Sequence, residues 1–253
     1  MPDGGVRERY RATVEAIGAV QKSSAGAPLY SRVVNRPIGR RAASLAAIAG
    51  WTPNRVTALS ATLTFAAFAV AAFVRPTPWV GVLISAGMVL GYGLDAADGQ
   101  LARLNGTGSL AGEWLDHVVD CFKNSTVHLA VLVSFYRFSN WPSSILLLPA
   151  LFSVAANAAF FTFILTEKLR PGGGPRLAVA GTRRPSIWRS LAVAPADYGV
   201  LCLAFLTFGW PRVFVWTYGA LFFATAVYLG AGMVKRFREM STLDSQRRVA
   251  ERS

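Results

Sequence analysis

Six long apolar segments follow one another along the chain, and they restrict the possible fold more than any other feature. Each is close to the roughly 20 residues that a helix needs to cross a hydrocarbon core about 30 Å thick. Because 53% of the residues are hydrophobic and only 15% are charged, a single soluble domain is excluded. The sequence predicts an all-α integral membrane protein with about six transmembrane helices, four or five being the alternatives. These helices are expected over residues 55–74, 79–103, 109–136, 141–167, 188–209 and 212–236.

The segments that flank these spans are polar or amphipathic. Residues 1–27 are rich in Gly, Ala and Ser, and we expect them to form a flexible cytoplasmic tail. Further along, Arg32, Arg36 and Arg40 recur every four positions beside an apolar face, which is typical of an interfacial amphipathic helix on an anionic membrane surface. The predicted organisation is therefore a tail over residues 1–27, an interfacial helix over 28–49, a six-helix transmembrane domain over 50–237 and a second cytoplasmic tail over 238–253.

The basic residues indicate how the chain is oriented. A formal net charge of +13 would suggest a nucleic-acid partner in a soluble protein, but here Lys and Arg gather between the apolar runs. With both termini in the cytoplasm, Arg75, Arg137 and Arg212 are the only basic residues on the outer side. This distribution follows the positive-inside rule. It predicts a multi-pass protein of the cytoplasmic (inner) membrane, with cytoplasmic termini and no nucleic-acid partner.

Acidic residues within the second and third spans are the unusual feature of this membrane protein. Asp95 and Asp98 are three positions apart, and Asp116 and Asp120 are four apart, so each pair lies on one helical face. An unpaired charge in a membrane costs at least about 2.5–3.5 kcal/mol, so a partner is required. One or two divalent cations would supply positive charge, and oxygen ligands favour Mg²⁺ or Mn²⁺ over zinc. A cation pathway through the membrane is the alternative that does not involve an enzyme.

The residues around the carboxylates are small. Gly99 and Ala102 lie close to Asp98, and Gly112 lies one turn before Asp116, so a nucleotide could approach the helix backbones there. Residues 106–109, Gly-Thr-Gly-Ser, are expected to form a turn and the N-cap of the third span, with a phosphate cradle as the alternative.

These residues complete a known motif. The stretch from Asp95 to Arg103, Asp95-Ala-Ala-Asp98-Gly99-Gln-Leu-Ala102-Arg103, is followed at set intervals by Gly112, Asp116 and Asp120. It resembles the CDP-alcohol phosphotransferase motif, also called the CDP-alcohol phosphatidyltransferase motif, at every fixed position. The resemblance implies an enzyme in which an alcohol oxygen attacks the β-phosphorus of a CDP-alcohol and CMP leaves. It would place the catalytic domain within residues 50–237 and also suggests a homodimer.

The resemblance further implies roles for individual residues. Asp95, Asp98 and Asp116 would be metal ligands, and Asp120 would be a ligand, the general base, or both. Metal ions would neutralise the phosphate oxygens while a carboxylate takes the proton of the nucleophile. The residues expected against the CDP portion are Asp98, Gly99, Ala102, Arg103 and Gly112.

The residues that select the two alcohols are less constrained. By location alone, Arg183, Arg184 and Arg189 are candidates for binding an anionic acceptor. The stretch Gly112-Glu113-Trp114-Leu115-Asp116-His117 resembles the choline and ethanolamine phosphotransferase branch, which makes Glu113 and His117 candidates for the acceptor or headgroup site. Lys123 is a further candidate, and it is also close enough in sequence to neutralise the carboxylates. Asp197 is another intramembrane carboxylate, and the sequence names no partner for it.

Two enzymatic interpretations remain open. In the first, CDP-diacylglycerol donates a phosphatidyl group to a polar alcohol in phospholipid synthesis. In the second, a small CDP-alcohol of the CDP-choline or CDP-ethanolamine type donates its headgroup to a lipid alcohol. At least one substrate is a lipid in either case.

Overall fold

The computed structural model describes residues 5–20, 29–170 and 197–250, with side chains as far as residue 246. These residues form helices and short helical turns, without strands. The helices are α1 Val6–Ala19, α2 Arg36–Ile48, α3 Pro53–Phe73, α4 Pro78–Asn105, α5 Leu110–Phe138, α6 Leu147–Leu169, α7 Tyr198–Ala204 and α8 Pro211–Ala250. A π-helical turn over Ser31–Asn35 precedes α2. A 3₁₀ turn over Ser143–Leu146 precedes α6, and another over Phe205–Thr207 follows α7.

The predicted membrane architecture is confirmed. Among the residues that the structure describes, five helical segments are long and apolar enough to span a bilayer, namely α3, α4, α5, α6 with its preceding turn, and α8. The predicted span over 188–209 falls partly outside the described residues, and its described remainder is α7 with the turn Phe205–Thr207. A sixth span therefore stays a prediction.

The connection between α4 and α5 is a turn with a capped helix start, as predicted. Gly106 ends α4 with φ of 63°, a left-handed conformation that glycine adopts without a steric penalty. The Ser109 side chain then accepts a hydrogen bond of 3.0 Å from the Gly112 amide at the start of α5. This short turn joins α4 to α5, and both helices pack against α3.

The helices pack around an aromatic core that lies away from the aspartates. Phe68 of α3, Met88 of α4, Val131 of α5 and Tyr218 of α8 are all buried in it. His128 of α5 lies in the same core, where Nδ1 is 2.6 Å from the Tyr218 hydroxyl. Gly91 lets α4 approach α3 closely, since a Cβ there would overlap the Thr64 side chain. This packing fixes α3, α4 and α5 relative to one another.

The N-terminal segment was predicted to be a flexible tail, and in the structure its residues 6–19 are helical. These residues form α1, which packs against α2 and α4. Ile17 is fully buried with Ala43 and Leu101. Apart from Ile17, Val6, Val14 and several alanines the segment is mostly polar, so its helix is stabilised mainly by tertiary packing, which a composition argument does not detect.

The predicted interfacial helix also has a packed face. It forms the π-helical turn Ser31–Asn35 and then α2, and its Gly39 lies against Ala96 and Gln100 of α4. The Gln100 side chain donates a hydrogen bond of 3.4 Å to the Arg36 carbonyl. At the other end of the chain, α8 continues as a helix through residues predicted to form the C-terminal tail.

Candidate active site

Three of the four motif aspartates, from α4 and α5, lie close together. Asp95, Asp98 and Asp116 each offer a carboxylate oxygen, and these oxygens all lie within 4.8 Å of one another. Asp98 is buried at 6% exposure, while Asp95 and Asp116 are partly exposed. The i, i+3 spacing on α4 produces this arrangement because it places Asp95 and Asp98 one turn apart on the face towards α5. We refer to these three residues as the carboxylate trio.

Lys123 joins Asp120 to the carboxylate trio. Its side chain is buried, and Nζ forms an ion pair with Asp95 and lies 3.4 Å from Oδ1 of Asp120. Nζ also donates a hydrogen bond of 3.3 Å to the Ser60 hydroxyl on α3. Asp120 is close enough to Asp95 and Asp116 for their charges to interact. One ammonium group does not balance four carboxylates, so the pocket still favours a cation.

The chemistry of this donor set fits a hard divalent cation. All the candidate ligand atoms in the carboxylate trio are carboxylate oxygens, which Mg²⁺ and Mn²⁺ prefer, and the described residues place no cysteine or histidine among them. The structure thus agrees with a metal site at the predicted aspartates.

Thr57 is a residue of this site that the motif does not include. Its hydroxyl donates a hydrogen bond of 2.5 Å to Oδ2 of Asp98. Thr57 belongs to a buried stripe of hydroxyl side chains on α3 that continues through Ser60 and Thr64. In the sequence, these three hydroxyl residues are spaced three and four positions apart on an otherwise apolar span. Such spacing indicates a helix with one face towards polar groups.

Apart from the buried Asp98, the residues expected against the nucleotide are partly exposed. The guanidinium of Arg103 lies beside Gly99, because a Cβ at Gly99 would be 3.4 Å from it. Nε of Arg103 is buried and has no hydrogen-bond partner among the described residues. Ala102 is partly exposed, one turn after Asp98, and a Cβ at Gly112 would be 3.2 Å from the Ser109 hydroxyl.

The candidates for the acceptor or headgroup site are placed differently from one another. Glu113 accepts a hydrogen bond of 2.6 Å from Lys168 of α6 and lies 3.8 Å from Nε2 of His117. Lys123 is not in this group, because its ammonium lies among the carboxylates. Arg183, Arg184 and Arg189 lie outside the described residues.

Asp197 has a structural partner that the sequence did not reveal. Its Oδ1 accepts a hydrogen bond of 3.0 Å from the Gly199 amide, which caps α7. Its Oδ2 accepts one of 3.4 Å from the amide of Ser31, in the turn before α2. The carboxylate therefore joins α7 to the N-terminal side of the site, 166 residues away in sequence.

Comparison with known proteins decides the family. The model of the CDP-alcohol phosphatidyltransferase family matches residues 50–232, which include the whole motif. This chain belongs to that family. The CDP-alcohol phosphotransferase is thus a membrane enzyme, and its aspartate pocket corresponds to the family's defining motif.

A solved structure supports the same fold for this phosphotransferase. It is the crystal structure of Mycobacterium tuberculosis phosphatidylinositol phosphate synthase with CDP-DAG bound. The two chains are 22% identical, with a TM-score of 0.51, over 81% of this chain and 94% of that one. At this identity the likeness concerns the fold. A comparison with curated proteins gave no match.

Proposed function

We propose that this enzyme transfers a phosphatidyl group from CDP-diacylglycerol to a polar alcohol and releases CMP. The observation that carries the proposal is the carboxylate trio, whose three oxygens lie within 4.8 Å of one another on the family's motif helices. The donor is suggested by the solved relative, which binds CDP-DAG. The reaction would serve phospholipid synthesis, and a homodimer remains an expectation from the family resemblance.

In this proposal the carboxylate trio holds the divalent cations, Mg²⁺ or Mn²⁺, with Asp120 as a further ligand. Bound there, the cations would neutralise charge on the diphosphate. The small side chains at Gly99, Ala102 and Gly112 leave room for the CDP portion beside Asp98. Arg103 brings a positive charge with an unpaired buried Nε to the same side of the pocket. These residues would bind and orient the donor.

The proposed transfer needs a proton acceptor next to the attacking alcohol. Asp120 takes that proton, the alcohol oxygen forms a bond to the β-phosphorus, and the bond from this phosphorus to the CMP oxygen breaks. Lys123 lies 3.4 Å from Asp120 and also pairs with Asp95, so it holds both carboxylates in place.

The distribution of Lys and Arg supports a site that opens to the cytoplasm, with both termini on the same side in the inner membrane. The donor and a water-soluble acceptor would then reach the pocket from the compartment in which cytidine nucleotides are made. Cysteine accessibility labelling at residues near each helix end tests this orientation.

The experiment that tests the reaction is a donor comparison with purified protein and Mn²⁺. CDP-diacylglycerol is offered with glycerol 3-phosphate, inositol 1-phosphate or serine, and CDP-choline is offered with diacylglycerol. We expect CMP release from CDP-diacylglycerol. Release from CDP-choline alone would assign the donor to the second interpretation, in which Glu113 and His117 lie near a small headgroup. Cation flux without CMP release from any pair would contradict the proposal.

Asp120→Asn is the variant for the proton-transfer step. It should retain binding of CDP-diacylglycerol and lose turnover by about 10²–10⁴-fold, the range for removal of a general base. The matched control is Asp244→Asn, the same chemical change at an exposed position on α8. Full activity of Asp120→Asn would remove this residue from the mechanism.

A further inference from the structure

Tyr198 is a polar residue near the carboxylates that the motif does not include. It is the first residue of α7, and its hydroxyl is buried without a hydrogen-bond partner in the described part of the chain. Its ring packs edge-on against Tyr92, with ring centroids 5.3 Å apart. Since Tyr92 lies one turn before Asp95 on α4, this packing brings the phenol to the edge of the carboxylate trio.

The surroundings of the Tyr198 hydroxyl identify the side of the pocket that it occupies. It lies within electrostatic reach of Cys202 on its own helix and of Asp120 and Asp95 across the pocket. Gly99 and Arg103 are seven and eleven residues beyond Tyr92 on α4, or about 10 and 16 Å along the helix axis. The hydroxyl is thus at the Asp120 end of the pocket, away from the residues expected against the nucleotide.

A buried hydroxyl without a partner is unfavourable in a folded protein. Leaving such a group unsatisfied costs about 1–3 kcal/mol, and most buried polar side chains have a partner. The cost is recovered if a bound molecule provides an oxygen at this place. At the Asp120 end of the pocket, the molecule expected is the alcohol whose proton Asp120 removes.

The backbone around Tyr198 is held from both sides. Asp197 accepts hydrogen bonds from the amides of Gly199 and Ser31. Gly199 lies directly against the ring of Tyr30, and a Cβ at this position would overlap that ring. The ring of Tyr30 in turn stacks on Tyr92 at 6.2 Å. Tyr198 therefore has a fixed position relative to α4, as a residue that aligns a substrate requires.

We propose that the Tyr198 hydroxyl donates a hydrogen bond to the oxygen of the acceptor alcohol and aligns it for attack, with Asp197 as a positioning residue for Tyr198. This inference rests on the proposed function, because it assumes that Asp120 takes the proton of that alcohol. It adds a residue of α7 to a site otherwise built from α3, α4 and α5.

Tyr198→Phe removes only the hydroxyl and tests the inference. The acceptor is glycerol 3-phosphate or inositol 1-phosphate, whichever the wild-type enzyme uses with CDP-diacylglycerol. We expect kcat/KM for the acceptor to fall about tenfold, the effect of one lost hydrogen bond. The KM for CDP-diacylglycerol and the slow release of CMP with water as acceptor should not change.

Tyr30→Phe is the matched control. The Tyr30 hydroxyl is also buried without a partner in the described structure, but the carboxylate that interacts with it is Asp197 instead of Asp120 or Asp95. This variant should keep wild-type kinetics for both substrates. An unchanged acceptor kcat/KM in Tyr198→Phe, or an equal fall in transfer and in hydrolysis, would overturn the inference.

A second variant covers the case in which Tyr198→Phe does not fold, as judged from its melting temperature. Asp197→Ala removes both backbone hydrogen bonds and should lower kcat/KM for the acceptor while leaving the KM for CDP-diacylglycerol unchanged. If kcat/KM for the acceptor and the KM for CDP-diacylglycerol were impaired to the same extent, the positioning role would be contradicted. If the wild-type enzyme itself releases no CMP with any acceptor, the proposed function fails. If the wild-type enzyme is active and both variants transfer normally, the role of Tyr198 is overturned and the proposed function stands.

Discussion

The hydroxyl of Thr57 on α3 donates a hydrogen bond of 2.5 Å to Oδ2 of Asp98 on α4. This contact orients one carboxylate of the trio from a helix that contributes no acidic residue to it. Thr57 is itself anchored, because its hydroxyl also lies 3.2 Å from the Pro53 carbonyl of the preceding turn. The geometry of the metal site thus depends on how α3 packs against α4.

Thr57→Val should weaken the response to metal. The valine has nearly the same shape, but it leaves a buried oxygen of Asp98 without its donor, at a cost of about 1–3 kcal/mol. We expect the Mn²⁺ concentration for half-maximal CMP release to rise at least fivefold. Thr57→Ser should behave like the wild type. The control is Thr64→Val on the same helix, where the buried hydroxyl has no partner among the described residues.

Lys123→Met should reduce CMP release by at least about 100-fold. The change leaves the partly buried carboxylates of Asp95 and Asp120 without their buried ammonium partner. Breaking a fully buried pair costs about 3–5 kcal/mol. Because a cation then has to balance more charge, Mn²⁺ should raise the melting temperature more in this variant than in the wild type. Lys235→Met, at an exposed position, is the matched control. Equal stabilisation of both variants by Mn²⁺ would contradict this account.

Metal exchange should follow the preference of oxygen ligands. Removing divalent cations with EDTA should abolish CMP release, and Mg²⁺ or Mn²⁺ in excess should restore it. Zinc should restore much less, because the described carboxylate trio offers neither sulfur nor imidazole. Activity that survives complete metal removal, verified by elemental analysis, would show that the aspartates act without an ion.

Ile17→Ala should release α1 from the rest of the protein. Ile17 is fully buried against α2 and α4, and an Ile→Ala change at such a site costs about 2–5 kcal/mol. We expect faster cleavage by trypsin within the arginine-rich first turns of α1, monitored by mass spectrometry. The matched control is Val6→Ala, since Val6 is 69% exposed. Identical cleavage rates in the two variants would mean that α1 is not held by this packing.

The aspartate pocket was predictable because it depends on local spacing. Asp95 with Asp98 and Asp116 with Asp120 fall on single helical faces, and the short turn after Gly106 makes the two faces meet. Apolar length likewise predicted the long helices. Both signals come from residues a few positions apart, for which helical periodicity alone gives the geometry.

The contacts that complete the site join distant parts of the chain, and the sequence did not predict them. Thr57 meets Asp98 across 41 residues, and Ser31 meets Asp197 across 166. Taken alone, Asp197 resembles an ordinary helix cap. Thr57 resembles a threonine whose hydroxyl bonds to the backbone carbonyl one turn earlier. The N-terminal helix was missed for a related reason, because a single buried isoleucine decides its packing.

The 40-residue helix α8 makes the enzyme sensitive to the thickness of its membrane. Arg212 near its start and Lys235 further along enclose the apolar stretch, and the 23 steps between them correspond to about 35 Å along the axis. A charged residue at each end anchors a helix at the two interfaces of a bilayer. In a thinner bilayer the helix has to tilt to keep both anchors in the headgroups. The activity of this enzyme should therefore depend on the chain length of the surrounding lipids as well as on the identity of its substrates.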